Sequence, residues 1–373
     1  MSKIKILFVV PSLRLCNGVA SFVMNYFRAI DKSKFQIDFL ISSNTEYSVY
    51  FDEIKKYDSK IYCMNKINLK NGVKGIKNFF KEHGKDYDII HCNVLNSGLF
   101  YLYYAKKYGI KTRILHSHVT KTSDVKFKEI INNCILKLSI RNATDFCACT
   151  EDAGKAIFKN RQFHIIYNAL DLNRFAYNDN ARSKLRKKYN ISDDDVVIGN
   201  IGRFCNQKNQ LRLLEVYNKF KIKNKYTKLF LIGNDGPLKD KINNFVEENN
   251  LKNDIIIAMS QSNIEDYYQM FDMFILPSVY EGLGIVLIVA QKSGLPCIVS
   301  NYVPFEANVT DYYYSVNLED DDNVWINKIE NVIKKDLKYL DRKNVKFSNN
   351  NYDISEAVKK LEEYYVFLYK RSK

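Results

Sequence analysis

Between Leu276 and Ser300 the chain reads LPSVYEGLGIVLIVAQKSGLPCIVS, and a single carboxylate, Glu281, sits in a glycine-rich turn between two apolar runs. FILPS before the turn reads as strand and IVLIVAQKS after it as helix. Gly282 and Gly284 then let the backbone approach a ligand while N–H groups at the helix start face outward. Such a terminus stabilises an anion through unpaired donors and the helix dipole. A carboxylate beside it suits hydroxyls rather than phosphate, and sugar hydroxyls are the obvious partners. The plainer alternative is a strand-to-helix turn with an incidental acid. A second candidate closes VVIGNIGRF: Arg203, and Lys208 five residues on, leave the C-terminal edge of a strand together. That edge is where open α/β sheets bind ligands. The two cations read either as a phosphate clamp or as a solvated loop. No GxGxxG follows a strand and no GxxxxGK[ST] occurs, so the common dinucleotide and P-loop fingerprints are absent.

The segments that would hold these groups alternate in kind. KIKILFVVPS, QIDFLIS, DYDIIHCNV, TRILHSH and TDFCACT are short apolar runs separated by Lys-rich helical pattern. VVIGNIGRF, TKLFLIGN, DIIIAMS, DMFILPS and PCIVS repeat the rhythm in the second half. Buried parallel strands alternating with helices imply an α/β fold of doubly wound sheets, in two domains joined near NALDLNRFAYNDN. The expected boundaries are 1–175, 176–352 and a C-terminal helix over 353–373 that packs back on the N-terminal domain. In that helix Ile354, Ala357, Val358, Leu361, Tyr365 and Leu368 share one face, after Asp353 as N-cap.

PSVYEGLGIVLIVAQKSGLPCIVS, GRFCNQKNQ, LIGNDGPL, YNALDLNRF and NGVASFVMNYFRAID occur in one order and spacing that resembles glycosyltransferase family 4, in its capsular and exopolysaccharide branch. The resemblance runs over nearly the whole chain. It implies a GT-B architecture, two Rossmann-like domains facing a central cleft, with the acceptor on the first and the nucleotide sugar mainly on the second. It further implies transfer with retention of anomeric configuration, without a metal or cofactor. Position by position, it puts Arg203 and Lys208 on the donor diphosphate, where they would stabilise the leaving group. Glu281 would hold hydroxyls of the transferred sugar, and the backbone of Leu283, Gly284, Ile285 and Val286 would meet sugar and phosphates. Gly18 would approach the diphosphate. His116, which ends a strand in RILHSH, would point at the reaction centre, with His118 beside it; His91 ends another strand. Two positions depart from the family pattern. Asn17 replaces the first glycine of a pair, and Val289 replaces a glutamate that would hold the donor ribose.

The expected activity is hexosyl transfer from a nucleoside-diphosphate sugar, read as a UDP-sugar, to a lipid-linked saccharide acceptor in surface polysaccharide synthesis. Val289 keeps a second reading open, an inactive or weak homologue that binds sugar nucleotide or partners an active transferase. A sugar-nucleotide epimerase of the same architecture is a third.

Charge is the informative bulk property of this 373-residue, 46% hydrophobic chain. Residues 1–170 carry 27 Lys and Arg against 14 Asp and Glu, a net of +13, whereas the remainder nets +2. An anionic partner for the first half follows. SDVKFKEIINNCILKLSIR can form a helix with Phe127, Ile130, Ile131, Cys134, Ile135 and Leu138 near one side and Lys126, Lys128, Lys137 and Arg141 around it. Such a helix either lies on an anionic membrane or packs on its own sheet with its lysines in solvent. Lipid-linked acceptors favour the membrane, so the expected location is cytoplasmic, peripheral on the inner face of the cell membrane. No nucleic-acid-binding signature occurs. The eight cysteines are scattered without a CxxC and read as reduced small hydrophobes.

Overall fold

The computed structural model describes residues 3–14, 18–42, 48–64, 71–122, 126–233, 235–259, 261 and 263–373. The chain divides into two compact units, Met1–Leu170 with Asn351–Lys373, and Asp171–Asn350. Unit one carries 32 Lys and Arg against 18 Asp and Glu, and unit two 25 against 24. The basic excess therefore belongs to one folded body.

Among the described residues, unit one holds seven parallel strands: β1 (Ile4–Val10), β2 (Phe35–Ile41), β3 (Ile61–Cys63), β4 (Ile89–Cys92), β5 (Thr112–Ser117), β6 (Asp145–Ala148) and β7 (His164–Ile165). Their order is β3-β2-β1-β4-β5-β6-β7. Unit two holds six: β8 (Val196–Ile201), β9 (Thr227–Gly233), β10 (Ile255–Met259), β11 (Met273–Leu276), β12 (Cys297–Ser300) and β13 (Tyr313–Val316), ordered β10-β9-β8-β11-β12-β13. Helices cover both faces of a parallel sheet, so its inner strands are apolar without alternation. Ile6 to Val10 and all of β11 and β12 are buried for that reason. In each sheet the order reverses once, between β1 and β4 and between β8 and β11. Those reversals are the topological switch points where open α/β sheets take ligands.

The C-terminal helix Ile354–Ser372 belongs to unit one although the whole of unit two intervenes in the sequence. The Asp353 side chain caps it by accepting from the Ser355 N–H at 2.9 Å. Ile354, Ala357, Val358, Leu361, Tyr365 and Leu368 enter the core formed by β1, β2 and the helix Gly18–Ala29. Each large apolar side chain buried there contributes on the order of 1.5–3 kcal/mol. Near the far end, Arg371 Nη2 donates to both carboxylate oxygens of Asp145 at 2.8 and 2.7 Å. A comparable anchor in unit two is Arg342, which donates to the carbonyls of Tyr268, Gln269, Phe271 and Ser293. Burial pulls its pKa down to about 9.

Candidate functional site

In unit two the candidate groups gather past the C-terminal ends of β8 and β11. These strands pair only over Met273↔Ile198 and Phe274↔Gly199. Beyond that, the buried Asn200 side chain spans the gap, its Nδ2 donating to Ile275 O at 2.8 Å. The two following loops are then tied together. Val279 N donates to Gln207 O at 2.8 Å, and Gln207 Nε2 to Tyr280 O at 3.1 Å. Gly233, which ends β9, lies against the same place: a Cβ there would sit 2.1 Å from Gly202 O. No other residue permits that approach.

Lys208 and Glu281 are brought together as an ion pair, Nζ to Oε1 at 2.6 Å. Ser278 Oγ donates to the same oxygen at 2.6 Å. The sequence reading assigned Lys208 to phosphate and Glu281 to sugar hydroxyls without joining them. Their pairing has a plain cause: the Glu281 side chain is only 5% exposed, and a buried carboxylate needs a cation or several donors. The pairing also accounts for an acid beside an open helix N-terminus, since Lys208 balances its charge locally. Two ammonium hydrogens of Lys208 and the Oε2 side of Glu281 retain capacity for further partners. Arg203 is exposed and forms no ion pair with a described residue. Among the described residues only its backbone carbonyl is held, by Gln210 Nε2 at 3.0 Å.

The turn between β11 and the helix Ile285–Lys292 takes the expected form. Gly284 has φ +79°, a left-handed conformation that strains any side chain, and it caps the helix without a side-chain acceptor. The opening N–H groups of the helix have no intrahelical acceptor. Leu283 is buried, and Ile285 and Val286 are half-buried at that end. Val289, one turn further, is 4% exposed, and its carbonyl accepts from Ser293 N and Oγ at 3.0 and 3.1 Å.

In unit one the histidines at the ends of β4 and β5 form a connected cluster. His91 Nε2 lies 2.9 Å from His116 Nδ1, and His91 Nδ1 lies 2.6 Å from the Tyr365 hydroxyl. His116 stacks on His118 with ring centroids 4.1 Å apart, and the Phe22 ring packs edge-on against His116 at 5.0 Å. His118 Nε2 meets Asn93 Oδ1 at 2.9 Å. Burial drives all three imidazoles towards the neutral form, His91 and His118 down to about 3 and His116 well below its usual value. For His91 and His116 the neighbouring His118 adds to the effect. Sequence reading singled out His116, gave His91 a lesser place, and assigned Tyr365 to packing alone. The signal available for Tyr365 was a phenol in an otherwise aliphatic stripe.

Gly18 starts the helix Gly18–Ala29 rather than lying in a loop, and a Cβ there would meet nothing within 4 Å. Among the described residues nothing requires glycine at that position. Asn17 lies outside the described residues. The helix Lys126–Asn142 leaves its apolar stripe uncovered: Phe127 is 73% exposed and Ile130 64%, with Ile131, Cys134 and Leu138 exposed beside them. Lys128, Lys137 and Arg141 are exposed as well, while nothing is described of the Lys126 side chain. Between this helix and Glu151–Phe158 runs a groove of about 690 Å³ whose lining includes Lys121, Lys137, Arg141, Lys159 and Arg161 but one acid, Glu129. No helix among the described residues is long and apolar enough to cross a membrane.

Comparison with known proteins places this geometry in context. Residues 181–354 match the family model described as glycosyl transferases group 1. A Bacillus subtilis protein named as a glycosyltransferase, EpsF, is 33% identical over 296 residues, covering 77% of this chain and 76% of that protein. An Escherichia coli UDP-Gal:alpha-D-GlcNAc-diphosphoundecaprenol alpha-1,3-galactosyltransferase is 25% identical over 381 residues, 98% and 97% of the two chains. The crystal structure of Anabaena HepE in complex with UDP superposes with a TM-score of 0.79 over 98% of this chain and 100% of that one, at 14% identity. With its two parallel-sheet α/β units, the chain has the GT-B fold.

Proposed function

Because the chain belongs to the group 1 glycosyl transferases, we propose that it moves a hexose from a UDP-sugar to a lipid-linked saccharide, with retention of configuration and without a metal, in surface polysaccharide synthesis. The observation that carries this reading is the arrangement past β8 and β11. There an exposed arginine follows β8, and a lysine paired to a buried glutamate stands at the turn that opens the helix Ile285–Lys292. Arg203 and Lys208 hold the donor diphosphate and stabilise the charge that grows on it as the glycosidic bond breaks. Glu281, oriented by Lys208 and Ser278, accepts hydrogen bonds from hydroxyls of the sugar, and the backbone from Leu283 to Val286 lines that place. His116 meets the reacting sugar, and Gly18 keeps the start of its helix free of a side chain beside the phosphates. The UDP bound by HepE and the diphosphoundecaprenol in the name of the Escherichia coli relative support the two substrate classes.

The acceptor lipid fits the charge of unit one. Its uncovered apolar stripe between Phe127 and Leu138, flanked by Lys128, Lys137 and Arg141, favours peripheral attachment to an anionic membrane over a helix packed on its own sheet. The test is incubation of the pure protein with a panel of UDP-hexoses and an undecaprenyl-diphosphate saccharide, with and without chelator. Product that forms in chelator and not without lipid meets the expectation; turnover abolished by chelator refutes the metal-free mechanism. Val289 favours one rival, a homologue that binds sugar nucleotide without transferring it. Donor binding with no product from any acceptor would decide for that rival.

A further inference from the structure

Tyr365 sits on the C-terminal helix, far from any strand edge in sequence, yet it terminates a buried chain of hydrogen bonds that leads to His116. Its hydroxyl is fully buried, and its only hydrogen-bond partner among the described residues is His91 Nδ1 at 2.6 Å. His91 Nε2 continues to His116 Nδ1 at 2.9 Å. At the far end, His116 Nε2 is buried and has no partner among the described residues. Burial keeps the phenol protonated and both imidazoles neutral, so the chain holds three protons: one O–H and one N–H on each ring.

Those three protons can be arranged in two ways. In the first, Tyr365 O–H donates to His91 Nδ1, His91 Nε2–H donates to His116 Nδ1, and His116 carries its proton on Nε2. In the second, every bond runs backwards: His116 Nδ1–H donates to His91 Nε2, His91 Nδ1–H donates to the phenol oxygen, and His116 Nε2 is a lone pair. Each direction strands one buried donor, His116 Nε2–H in the first and the Tyr365 O–H in the second, so the choice falls on the strength of the bond between phenol and imidazole. A phenol is a good donor and a poor acceptor, and the lone pair of a neutral imidazole is a good acceptor, so O–H to nitrogen is the stronger sense and favours the first arrangement by about tenfold. His118 does not compete, because Asn93 fixes it separately. The amide Nδ2 of Asn93 donates to His91 O at 3.3 Å, which turns its Oδ1 to accept from His118 Nε2.

We propose that Tyr365 is a positioning residue that, through His91, fixes His116 as an Nε2–H hydrogen-bond donor, so that His116 offers a proton to a substrate oxygen and no lone pair to a substrate hydroxyl. On the transferase reading above, on which only this last step rests, His116 acts on the reacting sugar as an electrostatic partner and not as a base. The assignment turns a packing residue of the C-terminal helix into part of the site's chemistry.

The tautomers can be read without any substrate. The chain has five histidines, so long-range proton–nitrogen correlation spectra of the ring-¹⁵N-labelled full-length protein hold five spin systems, with His116 identified by its loss in His116→Gln. The expected wild-type spectrum shows His116 protonated at Nε2 in about tenfold excess. Tyr365→Phe removes the hydroxyl whose bond to His91 distinguishes the two directions and leaves each with one unpaired N–H and one unpaired ring lone pair, so the His116 nitrogen shifts should move towards the average of the two tautomers. A wild-type His116 protonated at Nδ1 overturns the proposal even if Tyr365→Phe does not fold, and so does a folded Tyr365→Phe whose His116 shifts are unchanged. In turnover, Tyr365→Phe should lower kcat about tenfold with the donor KM kept, and an unchanged kcat defeats the positioning role. Should the wild type transfer no sugar at all, the transferase reading fails while the spectra still decide the tautomer.

Discussion

Acidification from pH 7 to pH 5.5 should weaken unit one selectively, because all five histidines of the chain lie in it and three are held neutral by burial. An unfolded histidine has a pKa of about 6.5, whereas folded His91 and His118 sit at about 3. Below pH 6.5 the unfolded chain therefore binds protons that the folded chain refuses. Stability is fully kept above that value and lost progressively as the pH falls towards about 3. Between pH 7 and 5.5 each such group costs about 1.25 kcal/mol by linkage, and the figure holds for any folded pKa below about 4.5. His91 and His118 together give about 2.5 kcal/mol, and His116 and the half-buried His164 act in the same direction. Carboxylates do not interfere, since their unfolded values lie near 4. The assay is amide hydrogen exchange at the two pH values, corrected for intrinsic rates, on peptides covering β4 and β5. Protection there should fall roughly 70-fold. The single tryptophan, Trp325, is buried in unit two and reports that histidine-free body by fluorescence in the same solutions. Protection in β4 and β5 that stays within about threefold would refute the claim that these imidazoles are neutral in the fold.

Arg203→Ala should weaken UDP-sugar binding by about 1.5–3 kcal/mol in a donor titration without lowering Tm, because the side chain is exposed and engages no described partner. Lys208→Ala should lower Tm and cost about 3–5 kcal/mol of unit-two stability in a urea titration, since it strands the buried Glu281 carboxylate; Glu281→Gln in the same background should restore much of the loss. Val289→Glu should tighten donor binding about tenfold with little change in kcat, yet lower Tm, because Val289 is 4% exposed and the new carboxylate loses water in the free protein. Replacing Lys128, Lys137 and Arg141 together by Glu should abolish flotation on anionic vesicles at low salt, at roughly 1 kcal/mol per basic residue; equal flotation of wild type and variant would leave the helix without that role.

What could be read from residues in order, and what could not, follows from how far apart interacting groups stand along the chain. The inner strands were legible because a sheet covered on both faces demands unbroken apolar runs, as in ILFVV and MFIL. β3, β7 and β13 escaped notice: edge strands of three, two and four residues carry no such buried run. The face of the C-terminal helix was legible from its 3.6-residue period, but Tyr365 stands 274 residues from His91, and no local pattern announces a hydrogen bond over that distance. Likewise Lys208 and Glu281 were each legible as candidates, while their pairing across 73 residues was not. These long-range links bear on Val289. Losing Lys208 would strand a buried carboxylate, and losing Tyr365 would strand a buried imidazole nitrogen, so each is held in place by the stability of the fold as well as by any chemistry. An uncharged side chain at 289 strands nothing within the chain: it stands in the apolar run IVLIVA of its helix and carries no polar atom that needs a partner. A carboxylate whose partner was a substrate hydroxyl could be lost there without structural penalty, whereas the groups that remain include ones that another buried group of the chain needs as a partner. The pattern of retention and loss therefore favours a site with one fewer substrate contact over one that has decayed.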